Sequence, residues 1–362
     1  MKKQDFIREL TAALAPIDAK SRAEIIADIE EHFAEGAAHG QTEEEICINL
    51  GQPGQIAEQV LEEYKAYKAE NHNGYGTDID DVVSSAMDAI DKSFAGVNGI
   101  DIGTSICDIK LVAAAPQSNK VRVTVQGRSR HNEFELENKN GILYVRQRAP
   151  FFRFEIFGFK SNLEMTVYVP ASHNGDIKVS TSYGNISASG ICNNIKLNTS
   201  AGNINIDGHR ASKAYLRSSA GNVCLTGCEI NDINAKSSAG NVTVECRETA
   251  ALTLGSSAGN IKVNVKRLGG DANLSTSAGE VNLTAIDVQG NIVAKSSAGS
   301  VRVRLPQDAN CRIDVNKPSV GTVSNYLTGN PYSPYTLRAS TSVGSIVLKP
   351  LEPRDPRDPR QN

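Results

Sequence analysis

The chain runs to 362 residues with no Trp, 5% aromatic residues and 30 Gly. That length gives room for two domains and a sizeable core, while the composition excludes a core built on large aromatics and favours a β-rich fold packed with small aliphatic side chains. Net charge is −3, but residues 1–95 hold 8 Lys/Arg against 20 Asp/Glu and the remainder 30 against 21, which argues against a nucleic-acid-binding helix in the acidic head and leaves the basic body able to meet anionic polymers, anionic lipid or the head itself.

Residues 1–68 read as four short helices. Phe6, Leu10 and Leu14 fall on one stripe and Ile25, Ile29 and Phe33 on another, the pattern of amphipathic helices that pack on each other. Gly36 and Gly40 are expected to end the second helix, Thr42 and Glu45 form a T-x-x-E capping box, and Pro53 opens the fourth helix after a stop at Leu50-Gly51. The strings FIREL, DIEEHFAEG, GQTEEEI and LGQPGQIA, in that order over residues 3–62, resemble the HTH-associated α-helical signalling (HAAS) domain of Gram-positive bacteria. The resemblance implies a signalling or partner-docking module without catalysis, often coupled to a PadR-like transcriptional regulator.

Residues 69–98 are read as a linker, AENHNGYGT, followed by one amphipathic helix carrying Ile79, Val82, Val83, Ala86, Met87, Ile90 and Phe94. Its acidic face (Asp80, Asp81, Asp88, Asp91) opposes contact with an anionic membrane and favours docking on the β domain or on a partner helix. From 99 to 170 the period becomes two: VRVTVQG, GILYVRQ and LEMTVYVP read as strands of a β-rich cap. Within it lie Phe151, Phe152, Phe154, Phe157 and Phe159, beside Arg146, Arg148, Arg153 and Lys160. Either these Phe residues close the open end of a β stack, or they form a hairpin that touches a partner or a membrane.

Residues 171–349 repeat. Aligned on the glycine of S-x-G, nine copies fall at Gly184, Gly202, Gly221, Gly240, Gly259, Gly279, Gly299, Gly321 and Gly344, at steps of 18, 19, 19, 19, 20, 20, 22 and 23 residues. A serine stands two before each: Ser182, Ser200, Ser219, Ser238, Ser257, Ser277, Ser297, Ser319 and Ser342. Positions seven and five before the glycine, and two and four after it, are apolar in most copies, as in Ile195/Leu197 and Ile204/Ile206. Each unit therefore reads as strand, tight turn, strand, and stacking at about 4.8 Å merges the apolar faces into ladders.

The corner has its own chemistry. Glycine is expected there for its backbone angle. The Asn that follows it in five copies (Asn185, Asn203, Asn222, Asn241, Asn260) can bond its counterpart one coil away, and hydroxyls three before it, from Thr181 to Thr341, are expected to form an inward ladder. At Gly321, Pro318 replaces the hydroxyl and the apolar phase slips to Ile313 and Val315, which predicts a bulge or loop and two irregular final coils. The tail, 350–362, is read as disordered.

The fold expected is thus mainly β, a single-chain β-solenoid (β-helix) of about nine coils of 18–23 residues preceded by a small α-helical bundle. Residues 100–349, with the strand Val167–Pro170 and then the S-x-G-[NDS]-[IV] repeats, resemble the bacterial “putative adhesin” family. The resemblance implies a structural or adhesive β-solenoid, linked in some members to cell-envelope stress responses.

Catalysis needs acids and bases that converge on one face. Here the outward positions beside the turns are mostly Ser, Thr, Asn and Lys, with Asp207 and Glu245 isolated, so no catalytic residue is assigned. His32, His39, His72, His131, His173 and His209 lack ligand spacing, and no G-K-[ST] follows the glycines, so no metal or cofactor is expected. Seven scattered Cys read as reduced thiols, with Cys228 and Cys246 at nearly equivalent places as buried filler. MKKQDFIREL lacks the apolar segment of a secretory signal, and no window approaches the roughly eighteen apolar residues of a membrane span. The expected compartment is the cytoplasm, with a position peripheral to the membrane or envelope as a variant of it.

Lys178, Lys196, Arg217, Lys236 and Lys295 precede their glycines by four or six residues. Stacking is expected to line them into a basic stripe, either a site for an anionic wall polymer or lipid head groups, or a solvated face that suppresses aggregation. The preferred function is a non-enzymatic interaction or signalling protein, its head docking a partner and its solenoid offering a rigid surface. The alternatives are a scaffold or adhesin and, more remotely, a polysaccharide-active enzyme.

Overall fold

The computed structural model describes residues 1–38, 40–70, 90–127, 133–148 and 163–351, in two units, one helical and one β. The tail beyond 351, the stretch 71–89 and the five Phe from Phe151 to Phe159 lie outside the described residues.

The helical unit comprises α1 (Lys3–Ala13), α2 (Ala19–Ala38), α3 (Glu43–Leu50) and α4 (Pro53–Glu70). Phe6, Leu10, Ile25, Ile29 and Phe33 are buried together, and Phe6 meets Phe33 edge to face at 5.8 Å. The capping box forms: the Glu45 amide donates to Thr42 Oγ1 (3.3 Å) and the Thr42 amide donates to Glu45 Oε2 (2.8 Å). The Thr42 amide and the Thr42 hydroxyl, which also donates to Glu45 Oε2 (3.0 Å), hold the Glu45 carboxyl below its ordinary value. Gly36 does not end α2. It lies within the helix against Ile46, and Gly40 (φ 80) terminates the run, with the Gln41 amide donating to the Gly36 carbonyl (3.0 Å) as in a Schellman motif.

In the β unit, equivalent strands stack in parallel register. Ile177↔Ile195↔Ala214↔Ile233↔Leu252↔Ala272↔Ile292 pair in sequence before the corner, and Ile186↔Ile204↔Val223↔Val242↔Ile261↔Val281↔Val301 after it. All of these side chains are nearly fully buried, so the ladder of small aliphatics is the core. Six residues separate Ala188 from Ile195, seven separate Ile206 from Ala214, and eight separate Val263 from Ala272. Every step in coil length over these copies is therefore absorbed at the far corner, while the S-x-G corners stay in line.

The stack is not in chain order at its ends. Thr336–Val343 pairs with Ile292–Ala298 on one side and Arg312–Asn316 on the other, so the Gly344 coil slips between the Gly299 coil and the Gly321 coil. Thr341 donates its hydroxyl to the Gly299 carbonyl (2.8 Å). The Gly321 copy has Pro318 there and no donor to offer, and it takes the outermost place. At the other end the coil of Gly99–Ile106 and Asp108–Ala113 is likewise held between Ile142–Arg148 with Glu164–Val169 and Ile177–Tyr183 with Ile186–Ser189.

Two expectations are corrected here. Ile90 and Phe94 are not helical: Ile90–Phe94 is a strand, antiparallel to Val121–Gln126, where Arg122 clasps Asp91 through two bonds (2.7 and 2.5 Å). Pro350 is not in a disordered tail but ends the last strand, and the Leu351 amide donates to the Leu305 carbonyl (2.9 Å).

Two histidines are buried near the far corner, His209 with Nε2 2.8 Å from the Asn193 carbonyl oxygen and His173 with Nδ1 3.0 Å from that of Val97. Burial pushes both pKa values below the ordinary imidazole value. The unfolded chain therefore takes up protons first, and their contribution to stability is full above about pH 6.5 and lost as pH falls below it. Urea midpoints are expected to drop between pH 7 and 5, with a shallower drop in the His173→Gln/His209→Gln variant. An unchanged slope refutes the assignment.

Candidate functional site

From the Gly202 corner to the Gly279 corner, each binds the one before it through two sets of bonds, and the hydroxyl set runs on to Ser296. The inward hydroxyl three before the glycine donates to the preceding coil's glycine carbonyl: Thr199 to Gly184 (3.0 Å), Ser218 to Gly202 (2.9 Å), Ser237 to Gly221 (2.8 Å), Ser256 to Gly240 (2.9 Å), Thr276 to Gly259 (2.8 Å) and Ser296 to Gly279 (2.9 Å). On the outside, each Asn side-chain oxygen accepts the backbone N–H of its successor, as Asn203 Oδ1 does from Asn222 (2.8 Å). Both ladders thus run side chain to backbone, not side chain to side chain.

The glycines are needed for closeness more than for their angle. An ideal Cβ on Gly221 would sit 2.6 Å from the Gly202 carbonyl carbon, and the same approach recurs at Gly184, Gly202, Gly240, Gly259, Gly279, Gly299, Gly321 and Gly344.

The first side of the stack carries an exposed polar face. Its outermost column is serine: Ser182, Ser200, Ser219, Ser238, Ser257, Ser277, Ser297 and Ser342 are all exposed. Beside it runs Ser180↔Asn198↔Arg217↔Lys236↔Gly255↔Ser275↔Lys295↔Ser340, and beside that Lys178↔Lys196↔Tyr215↔Asn234. The five basic residues therefore do not form one stripe. Positions six and four before the glycine lie two residues apart, about 6.6 Å along the strand, and so belong to different columns. Lys178 is neutralised by Asp101 (3.1 Å), which also takes Arg146 (3.0 Å). Lys196 Nζ lies 5.8 Å from the centre of the Tyr215 ring. Arg217, Lys236 and Lys295 make no ion pair among the described residues.

Two shallow grooves mark this face. One is lined by Arg146, Gln147, Ser180, Ser182, Asn198 and Arg217 among others, the second by Ser275, Ser277, Lys295, Ser297 and Ser340. Gln147 is committed to the fold, its Oε1 accepting the Ser105 and Ile106 amides (2.8 and 3.0 Å). Asp101, Gln147 and Tyr215 escape the sequence reading, and Arg146 enters it only as a neighbour of the Phe cluster; Asp101, Arg146 and Gln147 are missed on this face because their strands carry no S-x-G corner. Only the period-two alternation of those strands could have placed them on this side.

Asp207 and Glu245 do not converge. Asp207 accepts the Thr226 hydroxyl (3.1 Å) and Glu245 pairs with Lys262 (2.8 Å), both on the strand after the corner. Among the described residues no three of His, Cys, Asp and Glu are grouped to hold a metal ion. Cys228 and Cys246 are register partners in adjacent coils. Burial pushes both thiols up, that of Cys246 to about 12, so they stay protonated and poorly nucleophilic. No described helix is long and apolar enough to cross a membrane.

None of the curated proteins compared matches the chain. Among solved structures, a “putative adhesin” from Bacteroides fragilis is 17% identical over 74% of this chain and 98% of its own, with a TM-score of 0.38. Another from Parabacteroides merdae is 11% identical over 74% and 97%, with a TM-score of 0.41. Residues 5–59 match the HAAS family, and the helical head is similar to it. Residues 97–327, more than half of the sequence, match Toastrack DUF4097, and the chain belongs to that family.

Proposed function

We propose that the protein is a non-enzymatic interaction protein whose solenoid face binds an anionic polymer of the cell envelope and whose HAAS-like head docks a protein partner, coupling envelope state to a regulator. The observation that carries this reading is the exposed serine column flanked by Arg217 and Lys236, cations fixed one coil apart on a rigid sheet, with Lys196 one column further out. A row of hydroxyls at about 4.8 Å intervals, with two successive cations beside it, suits an extended chain of phosphate or carboxylate groups. Lys178 adds little because Asp101 already holds it. The reading places the protein peripheral to the envelope.

Reversal of Lys196, Arg217 and Lys236 to Glu tests it by co-sedimentation of the full chain with purified cell wall and with anionic vesicles. Retention is expected to fall at least about tenfold and to weaken with salt in the wild type. Unchanged retention in the triple variant refutes the face, and equal loss on neutral vesicles refutes the charge argument.

A further inference from the structure

The first groove of the serine face has two charged ends and an uncharged floor. Beside the serines, register partners run Arg146↔Gly103↔Ser180↔Asn198↔Arg217, which sets two guanidinium groups four rungs apart, about 19 Å at the spacing of neighbouring strands. Three short residues lie between them. The groove they bound holds about 540 Å³.

One end is held rigidly. Arg146 Nη1 donates to the Asp101 and Val145 carbonyls (2.8 and 3.0 Å), and its guanidinium lies 5.3 Å from the centre of the Tyr144 ring. Arg146 and Lys178 share the single carboxylate of Asp101 (3.0 and 3.1 Å), so one positive charge is left over there. At the other end Arg217 is exposed, with Tyr215, 41% exposed, two residues before it on the same strand. On the floor, Ser180 and Asn198 are half-buried, and their side chains have no hydrogen-bond partner among the described residues; the same holds for the exposed hydroxyls of Ser182 and Ser200 on the rim. A Cβ on Gly103 would meet Arg146 Cδ at 3.4 Å, so the glycine keeps the floor low beside the rigid end.

The spacing of charge selects the ligand. A chain with a phosphate at every rung would set its middle charges against Ser180 and Asn198, where no cation receives them. Sparse acid groups with hydroxyls between them match the groove instead. We infer that it takes an acidic oligosaccharide, a short run of sugar rings whose carboxylates are separated by neutral rings. The sugar hydroxyls pair with Ser180, Ser182, Asn198 and Ser200, side chains that both donate and accept. One carboxylate is held by Arg217, where the Tyr215 ring offers an apolar surface to a sugar face, and another faces the surplus charge of the Arg146 and Lys178 end. The inference rests on the envelope-binding reading and narrows it, since among anionic polymers it selects a glycan over a polyphosphate.

Fluorescence anisotropy of a labelled hyaluronan hexasaccharide, in which a uronate alternates with a neutral ring, tests this on the full chain. Saturable binding is expected, with unlabelled chitohexaose and inorganic polyphosphate of matching length each needing at least about tenfold higher concentration than unlabelled hexasaccharide to displace the probe. Gly103→Val and Ser180→Tyr raise the floor from two adjacent coils with residues that suit a strand, and each should weaken binding at least about tenfold. Thermal melts followed by circular dichroism establish which variants are folded, and Ser180→Tyr decides if Gly103→Val displaces Arg146 and unfolds. Binding that neither folded variant weakens overturns the groove, and polyphosphate that competes as well as the hexasaccharide overturns the charge-spacing argument. A wild-type chain that ignores the hexasaccharide yet still sediments with cell wall overturns the acidic glycan and leaves the envelope reading standing. A chain that does neither overturns both.

Discussion

Replacing Gly240 with Ala is expected to break the stack, at a cost above about 4 kcal/mol. The new Cβ would sit 2.6 Å from the Gly221 carbonyl carbon, whereas real Cβ contacts essentially never fall below 3.0 Å, and the obstruction is backbone that cannot swing aside. The Gly221 carbonyl also accepts the Ser237 hydroxyl at 2.8 Å. Moving it to relieve the clash therefore breaks the rung beside it. Gly255 provides the control, since it lies in a strand where the nearest atom to an added Cβ is Lys236 Cγ at 3.6 Å, an ordinary contact. Gly255→Ala should be neutral or stabilising by up to about 1 kcal/mol, because Ala loses less backbone entropy on folding. Urea titration by circular dichroism separates the two. Equal effects would show that close approach is not what the corner glycines serve.

Ending the chain after Tyr335 is expected to undo two coils rather than one. It removes Thr336–Val343 and Ile346–Pro350, the only described strands that hold Arg312–Asn316 and Val323–Asn325. Leu337, Ile346 and Leu348 are fully buried, so their loss costs on the order of 5 kcal/mol. The rows Ile292/Ala294 and Val301/Val303 are then laid open. Limited proteolysis should cut the shortened chain throughout 306–335 and leave the coils up to Leu305 intact. A shortened chain whose 312–325 segment stays protected would mean that this coil docks by itself on the Gly299 coil.

How far the sequence discloses this molecule follows from what a repeat can say. The S-x-G corner records a local demand, the near contact of successive backbones, and so its copies mark every coil. The helical head is legible for the same reason, since Thr42 and Glu45 satisfy each other within one turn. Equivalence between copies does not say which coil is next to which. That is decided by Thr341 having a hydroxyl to give and Pro318 having none, a comparison that only the assembled stack performs. Ile90 and Phe94 misled because a spacing of four places two residues on one face of a helix and equally on one face of a strand. The basic residues misled in another way: distance to the glycine was counted, but six and four before it are different columns. Asp101, which removes Lys178 from the free cations, sits on a strand with no corner to announce it.

The far corner, where coil length drifts from six to eight connecting residues while the registers on either side hold, gives the fold a margin. Foreign segments spliced there would leave the ladder spacing untouched and be displayed in a row at intervals set by the backbone. The protein is in this respect a ready-made ruler for arraying grafted peptides.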